Sequence, residues 1–191
     1  MPPTLLVIGP SASGKSSVVA ALARQGLVKV VPTWTTRPRR ADEGDGSVNH
    51  RFVSDEEFDG LDAVGAFLGA TTLFGLPHRY ALPRLDTYAT RGAVPTIVAR
   101  AVLLPALVPH LGAHAIYQIE RPLRLSAASL LCRASSGCEL HARLRGLAEE
   151  RELGRCVADR VFRNEGPVEA VVAAVADALR TDFATDDASA A

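Results

Sequence analysis

Lysine is nearly missing from this chain. Only Lys15 and Lys29 occur, and every other permanently charged basic side chain is arginine. Such a bias follows genomic base composition and has no chemistry of its own, but it makes a lysine kept inside a glycine loop conspicuous. Net charge is missing too. The 21 Lys+Arg and 21 Asp+Glu cancel, which argues against a general nucleic-acid-binding surface. Three cysteines form no paired framework, as expected in a reducing cytosol. No apolar run approaches the ~20 residues of a membrane helix. The start, Met-Pro-Pro-Thr, brings no basic n-region, so neither a signal peptide nor a membrane association is expected, and the expected location is cytoplasmic. There is no internal repeat and no linker.

What is present is ample core material. Nearly half of the 191 residues (48%) are hydrophobic, enough for one domain of ordinary size with small lids. One stretch organises the rest: Gly9-Pro10-Ser11-Ala12-Ser13-Gly14-Lys15-Ser16. It fits G-x-x-x-x-G-K-[ST] at every fixed position. In that pattern the glycines let the loop wrap, so that backbone N–H groups point at phosphate oxygens. The lysine reaches the outer phosphates, and the hydroxyl that follows can ligate Mg²⁺. The flanks agree. Thr4 to Ile8 is a short apolar run fit for a buried strand, and Lys15 to Arg24 reads as a helix whose N-terminus favours anions.

Further along, Leu27 to Val31 predicts a second strand. Thr33-Trp34-Thr35-Thr36-Arg37-Pro38-Arg39-Arg40 then sets three arginines beside hydroxyls. Guanidinium forks bind phosphate oxygens in pairs, so this loop reads as a second phosphate site; the competing reading is a solvated basic loop. Ser54-Asp55-Glu56-Glu57 opens a helix with an N-cap. From Ala63 to Pro83, glycines and prolines interrupt apolar anchors, which predicts short strands or loops in a small flap. Leu85 to Thr90 reads as a short helix. Strands are then expected at Val94–Val98, Ala115–Ile119 and Val157–Phe162. Helices are expected at Ala101–Leu111, Leu123–Arg133, Glu139–Leu153 and Pro167–Arg180, with a disordered acidic tail over Thr181–Ala191. Strands alternating with helices imply a parallel sheet covered on both faces, with ligands at the strands' carboxyl ends.

With these motifs in hand, the chain resembles the guanylate kinase family of P-loop nucleoside monophosphate kinases, from Thr4 to about Leu179. Thr33, Thr35, Thr36, Arg37 and Arg40 match a Ser-x-Thr-Thr-Arg-x-x-Arg motif, with threonine for the serine. Glu43 and Phe52-Val53-Ser54 follow in step, and Tyr80-Ala81-Leu82-Pro83 is similar to a Tyr-Gly-x-Pro segment. The fold implied is α/β: a P-loop NTPase with a parallel sheet, helices on both faces, a small acceptor-binding flap and a helical lid. The implied extent is one domain over residues 1–180, with the flap at about 33–90, the lid at about 129–145 and the tail at 181–191.

The resemblance also implies roles. Gly9, Ser11, Ala12, Ser13, Gly14, Lys15, Ser16 and Ser17 would hold ATP, with Ser16 on Mg²⁺ and Asn164 near the donor base. Thr33, Arg37, Arg40, His50 and Tyr80 would hold the acceptor, and Arg133 and Arg143 would close from the lid, so that Lys15, Arg37, Arg133 and Arg143 form the catalytic set. On the residues alone, Arg143 reads equally as a solvated helix face, Tyr80 as a core side chain and His50 as a surface polar group. Cys132, Cys138 and His141 surround the lid at a spacing that is not a usual zinc pattern.

Two departures bear on the substrate. The family's flap glutamate, which helps read guanine, is replaced by Gly69-Ala70-Thr71-Thr72. Its acidic strand end near Mg²⁺ is replaced by Val98-Ala99-Arg100, with Glu43 and Asp45 as candidate substitutes. Asn49-His50 and Ala99-Arg100-Ala101…Leu104-Pro105 are similar instead to the ribose 1,5-bisphosphate phosphokinases. The expected activity is phosphoryl transfer from ATP to a small phosphorylated acceptor, GMP first. The alternatives are the sugar bisphosphate as acceptor, or a binding module without catalysis. The expected partners are ATP and that acceptor, with no nucleic acid, in a monomer or homodimer.

Overall fold

The structure is a computed structural model that describes residues 3–39, 49–72, 77–88, 92–132 and 137–183. Its centre is a strand, β1 (Thr4–Ile8), with no exposed residue. Because side chains alternate along a strand, Leu5 and Val7 enter one core cluster while Leu6 and Ile8 enter another. A strand buried on both faces reads as an unbroken apolar run, the mark of a covered parallel sheet.

That sheet has the order β2-β7-β1-β8-β9, with β2 at Val28–Val31, β7 at Val94–Val98, β8 at His114–Glu120 and β9 at Arg160–Arg163. Every pairing in it is parallel. Helices α1 (Lys15–Arg24) and α7 (Val168–Asp182) cover one face. Along α7, Val171, Val172, Val175, Ala176 and Leu179 recur at helical spacing and are all buried. Each such aliphatic side chain stabilises by about 1.5–3 kcal/mol relative to exposure. The opposite face packs Val31, Ile97, Ile116, Leu82 and Leu104.

A second sheet, β4-β3-β6-β5, forms the flap. Its strands are β3 (Thr33–Thr35), β4 (His50–Phe52), β5 (Phe67–Thr72) and β6 (Arg79–Pro83). Helix α2 (Asp55–Ala63) begins at Ser54, whose hydroxyl accepts from the Glu57 N–H at 3.1 Å. Arg79 ties α2 to the flap: it donates to Asp55 and Asp59 and lies over the Phe58 ring at 4.5 Å.

Several boundaries differ from the sequence reading, each for a local reason. Ala101–Leu111 is not one helix. A 3₁₀ turn (Ala101–Leu103), the short α3 (Leu104–Leu107) and another 3₁₀ turn (Val108–His110) follow one another. Pro105 is tolerated at the helix start, but Pro109 lacks the N–H that would continue it. Glu139–Leu153 divides at Gly146 into α5 (Gly137–Arg145) and α6 (Leu147–Val157). Because α6 runs on to Val157, β9 starts late. Asp159 then joins it to β8, donating its N–H to the Ile116 carbonyl at 2.8 Å and accepting the Ile116 N–H at 2.7 Å. Helix α4 spans Leu123–Cys132. The supposed tail begins inside α7: Asp182 accepts from the Tyr117 hydroxyl at 2.6 Å and from Arg160. Residues 184–191 lie outside the described residues.

Candidate active site

Between β1 and α1 the backbone leaves the ordinary regions three times, at Gly9 (φ 142°), Ala12 (φ 58°) and Gly14 (φ 96°). The glycines are needed for space as well as for conformation. A Cβ on Gly9 would overlap the Ile119 carbonyl oxygen at the end of β8, and one on Gly14 would overlap the Asn164 amide. Helix α1 has no side-chain cap, so its first N–H groups remain to meet an anion. Ser11 and Ala12 are half-buried, Ser13 is buried, and Ser16 and Ser17 are exposed on the first turn.

Lys15 folds back over the loop, donating to the carbonyls of Gly9 (2.6 Å) and Pro10 (2.9 Å). Burial lowers its pKa to about 8, the nearby Glu150 carboxylate opposes that, and the Arg100 and Arg143 guanidiniums add to it. Arg143, on α5, is thus brought into the electrostatic neighbourhood of Lys15. Asn164, just after β9, donates its Nδ2 to the Ser13 carbonyl at 2.9 Å. Its contact in this structure is the loop backbone.

The flap gathers the expected acceptor residues. Thr33 pairs with His50 across β3 and β4, and Thr35 pairs with Tyr80 across β3 and β6. Tyr80 is 8% exposed and Arg37 5%. Arg37 donates its backbone N–H to the Thr35 hydroxyl oxygen (3.1 Å) and its Nη1 to the Pro38 carbonyl (2.8 Å), and it lies over the Phe52 ring. Arg39 lies over that ring as well. A cavity of about 640 Å³ between β2 and the flap is lined by Lys29, Arg39, His50, Arg51, Phe52 and Tyr88 among others, and by no phosphate-loop residue. Arg40, Glu43, Asp45 and Arg133 lie outside the described residues.

For three residues the structure supplies partners that the sequence did not show. Thr36 is fastened to Arg79 beside the β3–β6 ladder: its hydroxyl accepts the Arg79 N–H at 3.0 Å while its own N–H donates to the Arg79 carbonyl. Arg100 and Glu150 form a bidentate ion pair, 2.6 Å at both contacts. Glu150 had a signal, since it shares a helical face with Leu147 and Gly154, both buried. An acid on the apolar face of a helix is a carboxylate with a partner.

Mg²⁺ that travels with a nucleotide keeps several waters and takes few protein ligands. The site suits such an ion. The Ser16 hydroxyl stands on the exposed first turn of α1, accessible to such an ion. Cys132 and His141 are exposed, and no metal site forms around them among the described residues.

No family model matches the chain. A 77-residue stretch is 47% identical to the guanylate kinase of Alkalilimnicola ehrlichii, covering 39% of this chain and 37% of that protein. A 95-residue stretch is 36% identical to the guanylate kinase of Bifidobacterium longum, covering 49% and 48%. The chain thus spans less than half the length of these curated relatives. In three dimensions the match is longer. The crystal structure of guanylate kinase from Anaplasma phagocytophilum superposes with a TM-score of 0.66 over 96% of this chain and 87% of that one, at 24% identity. The chain has the guanylate kinase fold. Its sequence resembles the guanylate kinases over part of its length, and its sheet, flap and glycine loop form a P-loop NTPase architecture. Among the described residues, no helix is long and apolar enough to cross a membrane.

Proposed function

We propose that this guanylate-kinase-like chain is an ATP-dependent phosphotransferase whose acceptor is a small phosphorylated molecule, with GMP the first candidate. One observation carries the reading: an uncapped helix N-terminus holding Lys15 and Ser16 shares one fold with a flap that gathers Arg37 and Tyr80. Residues 1–180 act as one domain, with the flap at about 33–90 and the lid at about 129–145.

Phosphoryl transfer needs positioning and charge neutralisation more than covalent chemistry. The loop N–H groups and Lys15 hold the donor phosphates, and Ser16 would hold Mg²⁺, which would supply positive charge to the donor phosphates. Lys15 first exchanges its two loop carbonyls for phosphate oxygens. Arg37 and Tyr80, with Thr33, His50 and Arg40, hold the acceptor phosphate. Its oxygen attacks the γ-phosphorus, the bond to the β-phosphate oxygen breaks, and ADP leaves. An ionised phosphate acceptor requires no general base. Arg143 and Arg133 close over the transferred group and exclude water.

A second reading has its own support. Strand β5 offers Thr71 opposite Tyr80 and holds no carboxylate. A site without a guanine-reading acid suits an acceptor without a base, such as ribose 1,5-bisphosphate. A coupled ADP-release assay with ATP and Mg²⁺ tests both, screening GMP, dGMP, AMP, CMP, UMP and ribose 1,5-bisphosphate. Stimulation by GMP supports the first reading, and stimulation by the sugar phosphate alone replaces it with the second. ATP binding without transfer to any acceptor overturns both in favour of a binding module.

A further inference from the structure

Strand β7 ends at Val98, and the chain continues as Ala99-Arg100. The backbone puts that strand end level with the glycine loop. Val98 is in register with Val7, and the Ala99 N–H donates to the Val7 carbonyl at 3.0 Å. Arg100 is the next residue, and its guanidinium is one of the charges that act on Lys15. Its Nε and Nη2 donate to the two oxygens of Glu150 at 2.6 Å each. The Glu150 side chain is 5% exposed and that of Arg100 17%. Helix α6, which carries Glu150, packs on the turn at Ala101–Leu103. A carboxylate thus arrives at the phosphate site from a different element, held in a fixed orientation.

A buried ion pair is weak evidence for stability, since apolar side chains of similar size often hold two elements together as well or better. The surroundings suggest another use. Lys15 counts Glu150 as its countercharge and Arg100 and Arg143 as like charges, so the four groups form one charge cluster around the loop. A bare triphosphate entering it meets the carboxylate unfavourably. A triphosphate partly neutralised by a divalent cation does not.

We propose that Glu150, oriented by Arg100, is the positioning carboxylate of the phosphate site and makes the loop prefer a nucleotide carrying Mg²⁺ over the bare polyphosphate. This rests on the phosphotransferase reading above and adds a residue to it.

The test measures binding rather than turnover. Dissociation constants for a fluorescent, non-hydrolysable ATP analogue are determined in EDTA and in Mg²⁺ for the wild type, E150Q, R100Q and the double variant R100Q/E150Q. The readout is the ratio of the metal-free to the Mg²⁺ constant. E150Q should shrink that ratio about tenfold, the scale of one charge at several ångströms in a medium of intermediate dielectric. R100Q, which removes the bidentate partner of the carboxylate, should enlarge it, and the double variant should return it toward the wild-type value. A pair that only fastened α6 would weaken both constants in parallel, and an unchanged ratio in the single variants overturns the proposal. Where E150Q does not fold, R100Q and the double variant still differ only in the Glu150 charge, and equal ratios in those two also overturn it. Failure of the wild type to bind the analogue in either condition would sink the phosphotransferase reading itself, whereas binding with an unmoved ratio sinks the role of Glu150 alone.

Discussion

Replacing Gly154 by alanine sets two effects of opposite sign against each other. Gly154 lies inside α6, where alanine is favoured over glycine by about 1 kcal/mol. On helix propensity alone the variant should be more stable. The packing opposes this. A Cβ at Gly154 would overlap the side-chain oxygen of Gln118. Gln118 is 0% exposed and has nowhere to go. Its Nε2 donates to Glu120 Oε1 at 2.6 Å and to the Arg151 carbonyl at 2.9 Å. Glu120 is itself held by Arg155, with Nη2 at 2.6 Å. Burial pushes the Glu120 carboxyl up, but hydrogen bonds from Arg155 and Gln118 outweigh that and hold it low. Moving Gln118 therefore breaks a charge-assisted hydrogen bond, worth about 1.5–3 kcal/mol, and a neutral one of about 1 kcal/mol. Setting the helix gain against those losses leaves a net destabilisation of about 1.5–3 kcal/mol.

Urea unfolding reads this as a fall in midpoint of about 1 M at a slope of ~2 kcal/mol/M. Two companion variants isolate the cause. On a Gln118→Ala background the overlap is gone, and Gly154→Ala should then stabilise. Gly60, in α2, has no atom within 4 Å of its would-be Cβ, so Gly60→Ala should stabilise by about 0.5–1 kcal/mol. A Gly154→Ala protein as stable as the wild type, or more so, would show that Gln118 does not hold α6 in place.

Two pH effects follow from the charged groups. Burial outweighs the Glu150 countercharge and lowers the Lys15 pKa to about 8, whereas phosphates favour its protonated form. Nucleotide binding near pH 8 should therefore take up protons, and affinity should fall as pH rises through about 8; calorimetry in buffers of different ionisation enthalpy measures the uptake, and its absence refutes the Lys15 assignment. Asp182 is held at about 2, below its usual 3.8, by hydrogen bonds from Arg160 and then Tyr117. Its stabilising contribution is complete above about pH 4 and is lost as pH falls through about 2. The gap in melting temperature between wild type and Asp182→Asn should close over that window, and a gap that persists to pH 2 counts against the contact.

The parts of the fold that were legible are those governed by local chemistry. Helix α1 and strand β7 run over the residues expected from sequence, and Ser54 caps α2 as its position before three acids implies. Pro109 and Gly146 are visible in the sequence too, and they interrupt the two stretches expected as single helices, Ala101–Leu111 and Glu139–Leu153. The acidic composition of the last residues concealed Asp182, because its partners on β8 and β9 are far away in sequence. Of the candidate site, the glycine loop and the threonine–arginine strand could be read as motifs. The Arg100–Glu150 pair could not, since its members are 50 residues apart and belong to different elements.

By itself, then, the sequence determined the glycine loop, the doubly covered strand before it, and a segment that sets threonines beside arginines. Each depends on contacts between near neighbours: backbone conformation at Gly9 and Gly14, and side-chain alternation along β1. Only the tertiary structure decided which charges surround Lys15. Sheet order brings β7 beside β1, and α6 brings Glu150 over the strand end. The electrostatics of a buried lysine depend on distance through space, and the chain folds Glu150, 135 positions beyond Lys15, into its neighbourhood.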